Sequence, residues 1–367
     1  MFINVLLGIV VICIVVLVIV FMQARKDMNK TDPQYILSYI KENAQKNTCA
    51  LIIKKNDEIL CSINEDKRLP LASMVKLIIA IEFAKQSANG IINENEYISL
   101  SELKKYYIKN TDGGAHPKWE QDMIQNNQIK NDCVTLQNIA RGMLQYSSNA
   151  NTEYLINILG IENINQNIKE LGLKHHEEVY PFVSALYIPG FLQEKFNLSK
   201  KELVKHLNNL SQEEYKKYAF KINELMKNEH QLPNLNMFSL DLQKNWSNRL
   251  TSAAASDYIS LLEKINSKNY YDELVHQKLD KILETVIENE HNKKWFLHAG
   301  QKGGSTAFVL TNGLYATNKK GDSFEIVFMA NELNRIDAFK LRKSLNEFNL
   351  KTLKNEEFRG KIKMELA

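Results

Sequence analysis

Cysteine is scarce in this chain, which holds four cysteines among 367 residues. Cys13 lies within an apolar run at the N-terminus, and the other three are Cys49, Cys61 and Cys133. These three form no C-x-x-C pair and show no His/Cys spacing of the kind that zinc sites use. The sequence therefore predicts no structural disulfide and no thiolate metal site.

An excess of charge of one sign is also lacking. Lys and Arg number 47 against 43 Asp and Glu, which leaves a formal charge of +4 at pH 7. So balanced a composition gives no electrostatic footprint for nucleic acid. The eight histidines include the pair His175-His176, but no H-E-x-x-H or similar carboxylate-assisted cluster occurs. We predict no metal ion, no cofactor and no nucleic-acid partner.

One long hydrophobic run is present, at the N-terminus. Phe2–Met22 is uncharged and apolar, and at about 1.5 Å per residue it is long enough to cross a hydrocarbon core of about 30 Å. It lacks the basic n-region and the Ala-x-Ala-like cleavage site of a signal peptide. We predict that residues 1–22 form a retained, single-pass transmembrane anchor.

The orientation of this anchor is ambiguous from charge alone. Arg25, Lys26 and Lys30 follow the run, whereas only the α-amino group precedes it. The positive-inside rule alone would leave the large C-terminal domain in the cytoplasm, but the rule is weak for long translocated domains. Charge therefore leaves the side of the membrane open.

Hydrophobic periodicity organises the remaining chain, which is 44% apolar overall and long enough for a substantial core. Strands at both ends of the chain around a helical middle predict an α/β (α+β) fold, with one antiparallel sheet flanked by helices. We expect one main domain over 47–350. The other predicted segments are a tether and first amphipathic helix over 23–46, a hairpin over Cys49–Ile63 turning at Asn56-Asp57, strands over Trp295–Ala330 with turn signals at Asn312-Gly313 and Gly321-Asp322, a last helix from Arg335, and a polar tail over 351–367.

A possible nucleophile stands at the start of an apolar helical stretch. Ser73-Met-Val-Lys76 opens a run to Ala84 that contains no Gly or Pro. One helical turn separates the serine from the lysine, so the amine can reach the hydroxyl. A serine needs such a base because it is unreactive at its free pKa. An N-cap serine followed by a snorkelling lysine is the alternative for an isolated S-x-x-K pattern, and Ser38–Lys41 and Ser101–Lys104 also match that pattern.

Two further short motifs follow in the chain. Tyr146-Ser-Ser-Asn149 lies between two helical stretches, with Thr135 as a candidate cap of the first and Gly160 as the end of the second. Lys302-Gly-Gly304 lies in a predicted strand, where glycines allow close approach of a substrate to the backbone. The alternative for the second motif is a plain turn rich in Ser and Asn.

Taken in order, the three motifs resemble the S-x-x-K, S-D-N and K-T-G boxes of serine β-lactamases and penicillin-binding D-Ala-D-Ala peptidases. The resemblance covers roughly residues 45–345 and is closest to class A β-lactamase-like domains. It implies a catalytic group of Ser73 as nucleophile, Lys76 as general base and Ser147 as proton relay. Asn149, Lys302, Gly304 and Ser305 would then bind substrate, and the backbone N–H groups of Ser73 and Ser305 would form the oxyanion hole.

The sequence departs from the family pattern in three ways. Gly303 stands where the family has Thr or Ser, so a hydroxyl for the substrate carboxylate is missing and Ser305 or Thr306 would have to replace it. The Glu-x-x-Leu-Asn box, whose glutamate activates the deacylating water in class A enzymes, is absent, and Phe182 stands near its place. Glu177, Glu178 and Glu229 are all displaced from the spacing that the box requires. Two stretches, about 106–132 and 191–236, also make the chain longer than a compact β-lactamase. They could form lids or partner-binding surfaces, or they could be surface elaboration without a catalytic role.

The resemblance implies a membrane-anchored serine hydrolase that acts on the C–N amide bond of β-lactams or cell-wall peptides. Because such substrates lie outside the cell membrane, we expect the catalytic domain on the extracellular side. A catalytically weak penicillin-binding sensor or scaffold of the same fold is the alternative, favoured by Gly303 and the missing glutamate. The sequence leaves the choice between β-lactamase and peptidase, and the oligomeric state, open.

Overall fold

The computed structural model describes residues 31–236 and 239–366. The predicted anchor over 1–22 and the tether up to residue 30 lie outside these described residues. Within them, no helix combines the length and the apolar character needed to cross a membrane.

The described elements follow the predicted order of strands, a helical middle and further strands. The strands are β1 (Cys49–Lys55), β2 (Glu58–Ile63), β3 (Leu69–Pro70), β4 (Tyr97–Ser99), β5 (Cys133–Thr135), β6 (Ser252–Ala253), β7 (Phe296–Ser305), β8 (Leu310–Asn318) and β9 (Ser323–Ala330). The helices are α1 (Gln34–Asn43), α2 (Lys76–Ala88), α3 (Leu100–Lys104), α4 (Ala115–Gln125), α5 (Leu136–Arg141), α6 (Asn149–Leu159), α7 (Ile161–Glu170), α8 (Ile188–Phe196), α9 (Lys200–Asn209), α10 (Gln212–Lys227), α11 (Leu240–Arg249), α12 (Ala255–Asn266), α13 (Glu273–Leu283), α14 (Glu290–Lys293), α15 (Arg335–Lys354) and α16 (Glu356–Leu366).

The central sheet has the strand order β2-β1-β9-β8-β7, and every neighbouring pair is antiparallel. Side chains alternate between its two faces, as the two-residue period of a strand requires. Ala50 and Ile52 pack towards the helical middle, whereas Leu51 and Ile53 pack towards the terminal helices α1, α15 and α16. The predicted antiparallel sheet flanked by helices is therefore confirmed.

The predicted turn at Asn312-Gly313 is wrong. Both residues lie inside β8, where Gly313 pairs with Lys302 and Asn312 with Gly303. A Cβ on Gly313 would lie 3.3 Å from Met74 Sδ in the turn before α2 and 3.8 Å from Leu77 Cδ1 on α2. This glycine therefore lets the turn and the helix pack closely against the strand rather than turning the chain. The hairpin between β7 and β8 turns instead over residues 306–309.

The predicted polar tail over 351–367 is also wrong. The helix α15 continues to Lys354, and α16 follows after a single residue. Phe358, Ile362 and Leu366 are buried against the outer face of the sheet. Their spacing of four residues forms one narrow apolar stripe, which the many charged residues between them conceal in a composition-based prediction.

Candidate active site

Ser73 lies in a tight helical turn that precedes α2. The turn spans Ala72–Val75, and the α-helix itself begins at Lys76. Ala72 has a φ of 45°, a left-handed conformation that is strained for a residue with a Cβ. The chain therefore reverses sharply just before Ser73, and the Ser73 hydroxyl has no hydrogen-bond partner among the described residues.

Gly304 holds strand β7 against the backbone of Ser73. A Cβ at this position would lie 2.4 Å from Ser73 N and 2.7 Å from Leu71 O. Thr311 Oγ1 on the neighbouring strand donates a hydrogen bond of 2.7 Å to Leu71 O. Any side chain at residue 304 would push the strand away from Ser73, so only glycine permits this approach.

Lys76 is fully buried, one turn beyond Ser73. Its Nζ donates hydrogen bonds to Ser147 O at 2.7 Å, to Asn149 Oδ1 at 3.1 Å and to Ser147 Oγ at 3.2 Å. Burial, followed by the nearby charge of Lys302, lowers the pKa of Lys76 well below its usual range. A lysine with a lowered pKa is neutral for more of the time and so is able to accept a proton.

The loop that carries Ser147 is held by its own neighbours. Ser147 adopts a left-handed φ of 67° after a wide helical turn over Gly142–Tyr146. Ser148 caps α6 by accepting a hydrogen bond from Asn151 N, and its hydroxyl lies 3.0 Å from Nδ1 of the buried His116. The Ser147 side chain is thereby directed towards the two lysines.

Lys302 reaches Ser147 from the opposite side. Its Nζ donates to Ser147 Oγ at 3.1 Å and to Gly303 O at 2.8 Å. Burial lowers the pKa of Lys302 to about 7. The Ser147 hydroxyl thus lies between two buried amines, an arrangement that can pass a proton from one side of the site to the other.

A cavity of about 690 Å³ opens over these residues. Five of the seven predicted site residues line it, and Lys76 and Lys302 lie beneath, bonded to Ser147. The lining members are Ser73, Ser147, Asn149, Gly304 and Ser305. The structure therefore brings all seven predicted positions together, although their catalytic and binding roles stay predictions.

Comparison with known proteins decides the family. A family model described as the β-lactamase enzyme family matches residues 33–287, more than half of the chain. The chain belongs to the β-lactamase enzyme family. The resemblance to serine β-lactamases and penicillin-binding proteins is thus confirmed, although the matched segment ends before Lys302.

Solved structures support the β-lactamase fold. A β-lactamase from Sphaerobacter thermophilus DSM 20745 is similar with a TM-score of 0.53 at 14% identity, over 87% of this chain and 97% of that one. A representative class A β-lactamase from Bacteroides cellulosilyticus DSM 14838 is similar with a TM-score of 0.51 at 14% identity, over 89% and 100% of the two chains. At this identity the likeness shows the fold alone. No curated protein matches the chain.

Several residues that line the cavity of this β-lactamase family member were not among the predicted site residues. Trp246 and Phe182 form an apolar wall, and Trp246 Nε1 donates to Phe182 O at 3.2 Å. Arg342 on α15 and Asp112 in the first insertion add charges of opposite sign to the cavity lining. Neither Trp246 nor Arg342 belongs to one of the three motifs, so no local pattern indicated them.

The glutamates considered for deacylation all lie away from the cavity. Glu177 accepts a hydrogen bond from Ser252 N at 3.2 Å, Glu178 is exposed, and Glu229 forms an ion pair with Lys105 at 3.4 Å. Among the described residues, Asp112 is the acidic side chain that lines the cavity. Its carboxylate accepts hydrogen bonds from backbone N–H groups at the start of α4, so it acts as a helix cap.

A buried carboxylate fixes the cavity wall from behind. Glu153 on α6 is fully buried and accepts hydrogen bonds from Val183 N at 3.3 Å, Ser184 N at 3.0 Å and Asn223 Nδ2 at 3.1 Å. The Ser184 hydroxyl also donates to this carboxylate. Burial raises the pKa of Glu153 despite these bonds. Asn223 belongs to the second insertion, so that insertion is built into the wall that carries Phe182.

Replacing Lys302 with Ala should weaken acylation by carboxylate-bearing substrates more than acylation by neutral ester analogues. In the parent protein this preference should fall as pH rises through about 7, because the lysine is cationic below its pKa and neutral above it. Acylation rates for matched substrate pairs, measured from pH 5.5 to 8.5, test this. Lys319→Ala, on an exposed turn, is the control, and equal losses for both substrate types would make Lys302 structural.

Proposed function

We propose that the chain is a membrane-anchored serine hydrolase that forms a covalent acyl-serine with β-lactams or D-Ala-D-Ala-type cell-wall peptides and hydrolyses their amide bond. The observation that carries this proposal is the Ser147 hydroxyl, which lies 3.2 Å from Lys76 Nζ and 3.1 Å from Lys302 Nζ beside Ser73 in one cavity. Family membership supports the same class of reaction.

Acylation would begin at Ser73. Neutral Lys76 takes the hydroxyl proton while Ser73 Oγ attacks the substrate carbonyl, and the new C–O bond gives a tetrahedral intermediate. The C–N bond then breaks. Ser147 delivers a proton to the leaving nitrogen and regains one from Lys76, so that protons balance over the step. The lowered pKa of Lys76 suits the first half of this transfer.

Substrate binding would use the backbone on both sides of Ser73. The N–H groups of Ser73 and Ser305 would hold the developing oxyanion, and donors of this kind are worth about 3 kcal/mol each in the transition state. The close approach of Gly304 to Ser73 N supports this placement. Asn149 would hold the substrate amide, although its Oδ1 also accepts from Lys76.

The hydroxyl missing at Gly303 has one available substitute. Thr306 Oγ1 accepts hydrogen bonds from Phe308 N, Val309 N and the Ser247 hydroxyl, so it is committed to the β7–β8 turn. Ser305 is exposed and lines the cavity. Ser305 is therefore our choice as the hydroxyl that assists Lys302 with the substrate carboxylate.

A second function is a penicillin-binding sensor or scaffold of low turnover. The specific observation in its favour is the apolar Phe182 wall, together with the position of Glu177, Glu178 and Glu229 away from the cavity. Without a base for water, the acyl-serine would form and persist. Anchoring by residues 1–22, with the catalytic domain outside the cell membrane, is part of either proposal.

Labelling with a fluorescent penicillin that cannot cross a membrane tests the reaction and the orientation together. Protoplasts that make the full chain should yield a labelled band before lysis. A band that requires lysis would place the domain inside the cell while leaving the chemistry intact. Absence of a band in both samples, with the protein shown to be folded by circular dichroism, would defeat the acyl-serine proposal.

A further inference from the structure

A polar recess extends the cavity past strand β7 towards α15. Gln301 and Gly303 share one face of β7, and Asn312 on β8 lies directly opposite Gly303. Arg342 and Asn346 are one turn apart on α15. All five residues line the same cavity as Ser73, so a ligand bonded to Ser73 can extend into this recess.

The recess exists because residue 303 has no side chain. A Cβ on Gly303 would lie 3.5 Å from Thr311 O and 3.8 Å from Asn312 Oδ1, with nothing nearer. These are ordinary contact distances, and they contrast with the 2.4 Å approach that a Cβ on Gly304 would make to Ser73 N. Packing therefore demands glycine at 304 but tolerates a small side chain at 303, and Gly303 itself lines the cavity.

Three carboxamides border the recess, and one of their donors has no partner among the described residues. Gln301 Nε2 donates to Asn312 Oδ1 at 2.9 Å and lies 3.5 Å from Asn346 Oδ1. Asn312 is 1% exposed, and its Nδ2 has no hydrogen-bond partner. Buried polar groups are nearly always paired, so an unpaired donor that borders a cavity indicates a partner supplied by a ligand.

A cation without a counter-charge stands at the rim. Arg342 donates a hydrogen bond to Thr306 O, and no carboxylate among the described residues forms an ion pair with it. Lys302, the other cation near the recess, donates both of its hydrogen bonds within the site, to Ser147 Oγ and to Gly303 O. A guanidinium remains charged at all ordinary pH values and binds a carboxylate through two parallel hydrogen bonds.

We propose that this recess is a specificity subsite for an acidic side chain on the residue that leaves during acylation. The inference rests on the proposed function, in which Ser147 and Lys302 mark the side of the leaving nitrogen. The recess residues line the same cavity as Ser73 and Ser147, so a substituent of the leaving residue can reach the recess. The substrate class is then a peptide whose leaving residue is of the D-glutamate or D-aspartate type. Ser73 would still form its C–O bond first, and the acidic residue would depart when the C–N bond of the tetrahedral intermediate breaks and Ser147 protonates the leaving nitrogen.

Matched peptides test the subsite, identical on the acyl side and ending in D-Glu, D-Gln or D-Ala. We expect the second-order rate constant of acylation to be about tenfold higher for D-Glu than for D-Ala, as charge-assisted hydrogen bonds permit. Arg342→Gln should remove the advantage of D-Glu over D-Gln. Gly303→Thr should fill the recess and make D-Ala the preferred leaving residue. Arg335→Gln, at the exposed start of the same helix, should change none of these ratios.

A binding measurement tests the subsite independently of acylation. With Ser73→Ala, calorimetric titration of the same peptides should give tighter binding for D-Glu than for D-Ala, and Arg342→Gln should abolish that difference. Equal affinities and equal acylation rates for the three peptides would overturn the subsite, even where penicillin still labels Ser73. Loss of penicillin labelling with the preference in binding retained would instead refute the proposed hydrolase and keep the subsite.

Discussion

Ser73→Ala should abolish covalent labelling by fluorescent penicillin. Ser73 lines the cavity, and its hydroxyl is free to attack a bound carbonyl. Ser147 lines the same cavity and accepts a hydrogen bond from Lys76 Nζ, and we propose these two residues as the proton relay and the proton acceptor. Removal of a nucleophile leaves only binding and oxyanion stabilisation, and in serine enzymes this costs roughly 10⁶-fold in turnover. The labelled band on a denaturing gel should therefore disappear.

Two other S-x-x-K serines supply matched controls for this experiment. Ser38 is exposed on α1, and Ser101 is exposed on α3. Ser38→Ala and Ser101→Ala should both keep full labelling. Labelling that survives in Ser73→Ala would show that another residue is the nucleophile, and mass spectrometry of the labelled peptide would then identify that residue.

Penicillin hydrolysis should show a burst followed by a long-lived adduct. Phe182 lines the cavity wall, no glutamate among the described residues does, and Asp112 is committed to capping α4. A positioned general base accelerates proton transfer by about 10²–10⁴-fold. We therefore expect deacylation to be at least about a hundredfold slower than acylation. Stopped-flow absorbance and intact mass spectrometry over time measure the two steps.

The glutamates give a direct comparison for this expectation. Glu177→Gln, Glu178→Gln and Glu229→Gln should leave the adduct lifetime unchanged, because their side chains lie away from the cavity. A collapse of turnover in one of them would mean that this glutamate folds over Ser73 in the acyl-enzyme. Steady-state hydrolysis without a burst would restore the β-lactamase interpretation.

The three boxes could be found in the sequence because each is a local feature. Ser73 and Lys76 share one helical turn, and Ser147 and Asn149 share one loop, so short spacing encodes their geometry. Lys302 was found through its order in the chain, and the structure places its Nζ 3.1 Å from Ser147 Oγ. Recognition of the motifs, more than any hydrophobic pattern, therefore located the site.

The cavity wall and the recess had no such local signal. Arg342 belongs to α15 and Trp246 to α11, and only the tertiary fold brings them to Ser73. Asn312-Gly313 misled the prediction because the same dipeptide serves turns and close strand packing equally well. Distinguishing the two requires the helix α2 on the other side of the strand, which a linear pattern does not contain.

The buried Glu153 affects how the protein unfolds. Its carboxylate joins the helix behind Ser147 to the wall segment and to α10 of the second insertion through Val183, Ser184 and Asn223. Losing any one of these donors leaves part of a buried carboxyl group without its hydrogen bond, which commonly costs about 1–3 kcal/mol. The second insertion is therefore a structural part of the catalytic domain. Melting of α10 should therefore coincide with loss of the catalytic pocket in a single cooperative transition, because Asn223 on that helix and the wall segment share the Glu153 carboxylate.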